Sequence, residues 1–112
     1  MIRLPVPPST NALYRNAPGR GRVKTAAYKA WIEAAGWALK TQHCRIVIGR
    51  AEVEIAFPRN NRRDLDNGAK AALDLLVAHR LLQDDRYVER LTLRWHDDAE
   101  NKGYCFVELM PA

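Results

Sequence analysis

The chain has 112 residues, of which 47% are apolar and 28% charged, with a formal net charge of +5. That length suits one globular core and not two, so residues 1–112 are expected to form a single domain. No apolar run approaches the roughly 20 residues of a membrane-spanning helix, Met1-Ile2-Arg3-Leu4-Pro5 lacks a secretory leader pattern, and the basic excess favours a polyanionic partner such as nucleic acid.

Ile2 to Val6 alternates and reads as a short strand, stopped by Pro7-Pro8 because proline cannot donate to a ladder. Residues 9 to 22 are rich in turn formers and read as a loop. Arg15, Arg20, Arg22 and Lys24 lie here beside Tyr14, a mixture suited to a phosphate backbone and an exposed base. A solvated loop with no ligand accounts for the same residues about as well. Thr25 caps a helix running from Ala26 to about Gln42, whose apolar stripe is Tyr28, Trp31, Ile32, Ala35 and Leu39. Gly36 either weakens its middle or admits a close neighbour. Trp31 and Trp37 read as core or dimer contacts.

Ile46-Val47-Ile48 and Val53 to Phe57 look like strand, interrupted by a turn or bulge near Gly49-Arg50. Pro58 ends the strand, and Arg59-Asn60-Asn61-Arg62-Arg63 is a basic loop. A second helix is expected from Asp66 or Asn67 to His79, burying Ala69, Ala72, Leu73, Leu76 and Val77. Leu81-Leu82 connects to Gln83-Asp84-Asp85. Val88 to Trp95 alternates, with Leu91, Leu93 and Trp95 on one side, and Tyr104 to Met110 returns after the polar turn Asp97–Gly103. These last strands read as an antiparallel hairpin with a long loop. The order β-α-β-α-β-β predicts an α/β (α+β) fold, a mixed sheet with two helices packed on it. Cys44 and Cys105 have no zinc or disulfide spacing and read as free thiols in a reducing cytoplasm.

The chemistry concentrates at Arg62-Arg63-Asp64-Leu65-Asp66-Asn67-Gly68-Ala69-Lys70 and at Asp84-Asp85. Crowded carboxylates repel, and a bound cation relieves the repulsion. Magnesium takes oxygen ligands and keeps several waters, so one or two carboxylates per ion suffice. Asp64 and Asp66, two apart where loop becomes helix, can converge on one locus, with the helix N-terminus adding a positive field. Lys70, one turn on, can bring its ammonium to the carboxylates and a phosphate. Asn67 can orient a ligand or a water, and Asp84 can support Asp85. Asp85 joins this site only if the chain doubles back, since a helix from Asp66 to His79 is roughly 20 Å long. A plainer account remains open: Asp64 or Asp66 as a helix cap, Lys70 as a surface partner of Asp66 or Asp74, and Asp84-Asp85 as a turn.

Arg63-Asp64-Leu65-Asp66-Asn67-x-x-Lys70, followed by Leu82-Gln83-Asp84-Asp85-x-x-Val88, resembles the RusA family of Holliday junction resolvases. The opening Leu4-Pro5-Val6-Pro7-Pro8-Ser9-Thr10-Asn11-Ala12-Leu13-Tyr14 resembles that family's first segment. The resemblance covers nearly the whole chain in order. It implies a Mg2+-dependent endonuclease, with Mn2+ a plausible substitute, acting as a homodimer on four-way DNA junctions in recombination and repair. It implies no small-molecule cofactor. The matching acids, which would also be the metal ligands, are Asp64, Asp66 and Asp85, with Lys70 the essential basic residue. Arg15, Arg20, Arg22, Lys24, Arg59, Arg62 and Arg63 would then supply phosphate contacts. Gly68 departs from the bulkier residues common in the family and is expected to loosen the first helical turn. A non-catalytic DNA-binding module and a broader nuclease acting on other branched DNA are the competing readings.

Overall fold

The computed structural model describes all residues from 1 to 112. β1 is Ile2–Pro5, β2 Tyr14–Ala17, β3 Gly21–Lys24, α1 Ala26–Lys40, β4 Ala51–Pro58, α2 Ala69–Ala78, β5 Val88–His96 and β6 Tyr104–Pro111. The main sheet has the order β1-β6-β4-β5. β6 pairs antiparallel with both β1 and β4, whereas β5 pairs in parallel with β4. The mixed sheet with two helices is the expected architecture.

Its connections differ from expectation in one consequential respect. β5 and β6 do not form a hairpin, because β4 lies between them. The seven-residue segment after β5 steps across the end of β4, a move of two strand spacings or about 10 Å. β4 takes the central place because it is the most apolar strand, with Ala51, Val53, Ile55, Ala56 and Phe57 all buried. β5 is left at the sheet edge, so Leu91 is 40% exposed although it lies on the core-facing side. The opposite face of the sheet carries ion pairs, Glu52 with Arg90 and Glu54 with Arg94.

Both helices belong to one apolar cluster with the sheet, centred on Leu4, Val53, Ile55, Leu76, Leu82 and Val107. Thr25 caps α1 as expected, its hydroxyl accepting from the Tyr28 amide at 3.1 Å. Trp31 is buried and its indole N–H donates to the Pro5 carbonyl at 2.8 Å. Trp37 is not core: it is 62% exposed, with the Lys40 ammonium over its ring. Gly36 serves close packing, since a Cβ there would meet the His79 ring at 3.2 Å.

Three further expectations are corrected. Residues 14 to 24 are not an open loop but the β2–β3 hairpin. Its base is tied to α1 by the Thr25 amide donating to the Leu13 carbonyl and by Tyr14 packing edge-on to Tyr28. Ile46-Val47-Ile48 is not a strand: only Val47 is buried, making a single parallel bridge to Leu82, and Gly49 turns the chain at positive φ. α2 begins at Ala69, after the acids, and buries Ala69, Ala71, Ala72, Leu75 and Leu76, so its inward face is rotated from the expected stripe. Its end is closed by Arg80 in the left-handed region and by the Leu81 amide donating to the Leu76 carbonyl at 2.9 Å.

The two thiols differ in environment. Burial pushes Cys105 up to about 12, while Cys44, only half-buried, is raised by burial more mildly. The thiolate is the reactive form. In the native protein at about pH 8, an alkylating reagent is therefore expected to label Cys44 and to reach Cys105 only through unfolding. Mass spectrometry would then show one adduct before denaturant and two after it; equal labelling of both cysteines in the native state would contradict this burial.

Candidate active site

The loop between β4 and α2 is built from two consecutive tight turns. The Arg63 amide donates to the Asn60 carbonyl, and the Asn67 amide to the Asp64 carbonyl at 3.1 Å. Between the two acids, Leu65 packs against the apolar core. With Leu65 held inward, Asp64 and Asp66 on either side of it are exposed. Neither carboxylate pairs with a lysine or arginine, although basic residues surround them in sequence.

A clamp fixes this loop. The Asn67 side-chain oxygen accepts from the Thr10 amide at 2.7 Å, the Thr10 hydroxyl at 3.2 Å and the Arg63 guanidinium at 3.3 Å. Arg63 also donates to the Pro7 and Asn67 carbonyls, each at 3.2 Å. The opening segment Pro7–Thr10 is thereby strapped to the acidic turn. Desolvation lowers the Arg63 guanidinium from its ordinary value. Asn67 and Arg63 thus spend their side chains on the fold itself.

Gly68 completes the joint. It sits at φ 106 as the residue before α2, in the left-handed region. A Cβ there would approach Arg63 at 3.3 Å and Phe57 and Pro7 at 3.4 Å. The glycine is the residue that lets the clamp close over it.

Lys70 lies on the first turn of α2, 69% exposed, with its ammonium 3.6 Å from Asp74 one turn along. It is not paired with Asp66. Asp85 is exposed in the short turn Asp85–Tyr87 that precedes β5. Asp84 caps that turn, and the Arg86 amide holds its carboxyl below the usual range.

The acids are not gathered in one place. No group of three or more acidic, histidine or cysteine side chains close enough to hold a metal exists within the chain. Topology is the reason. Asp64 and Asp66 follow the C-terminal end of β4, and Asp85 precedes β5, whose start is level with the N-terminal end of β4. An eight-residue strand and a ten-residue helix separate the two locations by on the order of 15–20 Å. The doubling back that would bring Asp85 to Asp64 and Asp66 does not occur.

The basic residues fall into three settings. Arg15, Arg20, Arg22 and Lys24 are all exposed on the β2–β3 hairpin, with Arg22 stacked over Tyr14. Arg62 is exposed on the acidic loop. Arg59 is engaged by Asp97 at 2.7 Å and 3.2 Å, which raises Arg59 and lowers Asp97. That pair, unforeseen in the sequence, forms one rim of a cleft of about 420 Å³ at the ends of β4 and β5. The cleft runs up to Asp64 and also includes Phe57, Trp95, His96 and Lys102. An aromatic pair, Trp95-His96, at a strand end was the one sequence signal for it.

This arrangement coincides with a family match over most of the chain. The model of the endodeoxyribonuclease RusA family matches residues 5–108. The chain is 36% identical to the crossover junction endodeoxyribonuclease RusA of Escherichia coli strain K12, with 78% of this chain and 74% of that protein covered. It is 37% identical to the protein of the same name from Shigella sonnei and 34% identical to that of Enterobacteria phage 82, with the same coverage. The chain belongs to the RusA family of endodeoxyribonucleases.

Gly68→Ala places an L side chain in the left-handed region, which costs roughly 1–2 kcal/mol, and forces Arg63 or Pro7 to give way. Urea unfolding should show at least that loss, and limited proteolysis should cut sooner in the Pro7–Thr10 segment. A variant as stable as the parent would show that the clamp does not constrain residue 68.

Proposed function

We propose that this protein is a magnesium-dependent endodeoxyribonuclease that resolves four-way DNA junctions by paired incisions, acting as a homodimer in the cytoplasm during DNA recombination and repair. The observation that carries this reading is the pair of exposed, cation-free carboxylates, Asp64 and Asp66, on a rigidly clamped turn in a member of this nuclease family.

The donor set fits magnesium: hard carboxylate oxygens, open to solvent and unclaimed by any cation of the chain. Asp64 and Asp66 would hold the ion together with Asp85 of the partner subunit; manganese would be accepted by the same oxygens. When bound, magnesium supplies Lewis-acid stabilisation of the phosphate and lowers the pKa of a water. Lys70 leaves its weak surface pairing with Asp74 and meets a phosphate oxygen. The exposed hairpin cations, with Arg62, hold flanking phosphates and contribute affinity that falls with salt. Arg63 supports the loop from within, and its expected phosphate contact is not part of this reading.

The dimer follows from the separation of the acids. In a two-fold pair with the β5 edges side by side and antiparallel, the start of β5 in one subunit lies beside the acidic turn of the other. β5 is one of the two edge strands of the sheet, the other, β1, having its Arg3 backbone bonded by the Gln42 side chain, and Leu91 is exposed on β5, as such a contact needs. Two composite sites related by a two-fold axis match the two related strands of a junction. A geometry of this kind reads junction shape more than sequence through its phosphate contacts.

Asp66→Asn should abolish cutting of a synthetic four-way junction in magnesium while leaving junction binding in calcium within about threefold, since the phosphate-binding cations remain. Mixing Asp66→Asn with Asp85→Asn subunits should restore a single nick per junction, because one site in each mixed dimer regains all three acids. Wild-type cleavage by Asp66→Asn would sink the enzyme reading. Failure of the mixed dimer to nick, with each single variant inactive, would confine the three acids to one chain and remove the composite site.

A further inference from the structure

The cleft beside Asp64 is larger than phosphate chemistry requires. At about 420 Å³ it falls in the range of small-ligand pockets, roughly 300–1,000 Å³. It lies outside the carboxyl ends of the parallel strands β4 and β5, the position at which open α/β sheets bind ligands. Its apolar wall contains buried Phe57 and half-buried Trp95.

The polar rim is uneven in what it offers. The Asn67 oxygen is occupied by Thr10 and Arg63, which leaves its NH2 without a partner in the chain. Asn60 is in the same state: its oxygen accepts from the Arg62 amide and its NH2 is free. Lys102 is exposed and unpaired. Of the acceptors on the rim, Asp64 is free but assigned to the metal under the reading above, and the others are already used. Asp97 is taken by Arg59, and Asp98 accepts from the Glu100 amide at 3.0 Å and the Asn101 side chain at 2.8 Å. His96 is filled as well, its Nε2–H donating to the Tyr104 carbonyl and its Nδ1 accepting from the Asp98 amide. An aromatic wall with free donors and spent acceptors suits a flat heterocycle edged by carbonyl oxygens and ring nitrogens.

We propose that this cleft takes one unstacked nucleobase from the DNA strand at the cut, seated against Trp95 with its acceptor edge toward Asn60, Asn67 and Lys102. The inference rests on the junction-cutting reading and deepens it. A base held here registers the phosphate beside it on Asp64, so the cleft sets where along a strand the incision falls. Junction shape brings the DNA to the protein, and this cleft adds dependence on base identity at one position. Unstacking costs least at a branch point, where pairing is already interrupted.

The test joins a change in DNA to a change in protein and needs no cleavage. Junctions carrying one abasic residue, scanned across the nucleotides around the branch point, are titrated with Asp66→Asn protein in calcium. At one position, loss of the base should weaken binding roughly five- to 150-fold, the scale of base stacking on an aromatic ring. Adding Trp95→Leu should give a like loss on intact DNA and no further loss at that abasic position, while Trp95→Phe retains most of the effect. An abasic penalty of equal size with and without Trp95, or no position at which the base matters, overturns the proposal. If Trp95→Leu does not fold by circular dichroism, Lys102→Ala replaces it: the abasic penalty at the same position should shrink at least about twofold, and an unchanged penalty overturns the proposal. Because binding alone is read, the base cleft fails separately from the nuclease reading, which stands or falls on cutting by the Asp66 protein in magnesium.

Discussion

Two parallel strands cannot be joined by a tight turn; the chain must travel the whole length of the sheet before the second strand begins. Here that return journey is α2, between β4 and β5. It fixes the acidic turn at one end of the sheet and Asp85 at the other. No side-chain motion closes a gap on the order of 15–20 Å. Under the proposed reading, a single copy of this fold would hold two parts of a metal site with a helix between them. The proposed dimer is the arrangement in which that separation is an asset, since antiparallel neighbours bring opposite ends together twice over.

The acidic turn is useful only if it is stiff. Carboxylates that wander lose the entropy of ordering each time they bind an ion. The structure meets this with Leu65 anchored in the core and with Asn67 and Arg63 spent on the strap to Pro7–Thr10. Gly68 allows the strap and α2 to meet without a Cβ between them. The opening residues, distant in sequence and free of acidic groups, are thus part of the site as its support. Their removal would leave Asp64 and Asp66 in place along the chain but not in space.

Much of this was legible from the residues. Periodicity located both helices and the strands of the main sheet, and the Thr25 cap and the buried face of α1 follow from local rules that packing reinforces. The acidic turn stood out because carboxylates are concentrated within a basic chain. What local rules do not carry is the partner of each strand. Alternation in Val88–His96 and Tyr104–Pro111 is satisfied equally by pairing with one another or with β4, and only the greater burial of β4 decides it. The β2–β3 hairpin was hidden by its turn residues and charges, because its strands are only four residues long. Likewise the capture of Arg59 by Asp97 depends on the loop after β5 crossing the end of β4, a consequence of topology that no spacing along the chain reveals. The separation of Asp85 from the other acids has the same origin.

The distribution of charge shows which groups the fold keeps for itself and which it leaves open. Glu52, Glu54, Glu89, Asp74 and Asp97 each have a cationic partner within the chain. Asp64, Asp66 and Asp85 have none, as is also true of Glu33, Asp98, Glu100 and Glu108, although the chain carries an excess of five positive charges. A basic protein could neutralise three exposed carboxylates by moving a nearby arginine side chain; Arg63 is adjacent to Asp64 and is instead turned inward to Pro7 and Asn67. Holding that guanidinium away keeps the carboxylates available to an external cation. The hairpin arginines are likewise without acidic partners. Charge of both signs is thus left unsatisfied, as the proposed binding of a metal ion and a polyanion would require.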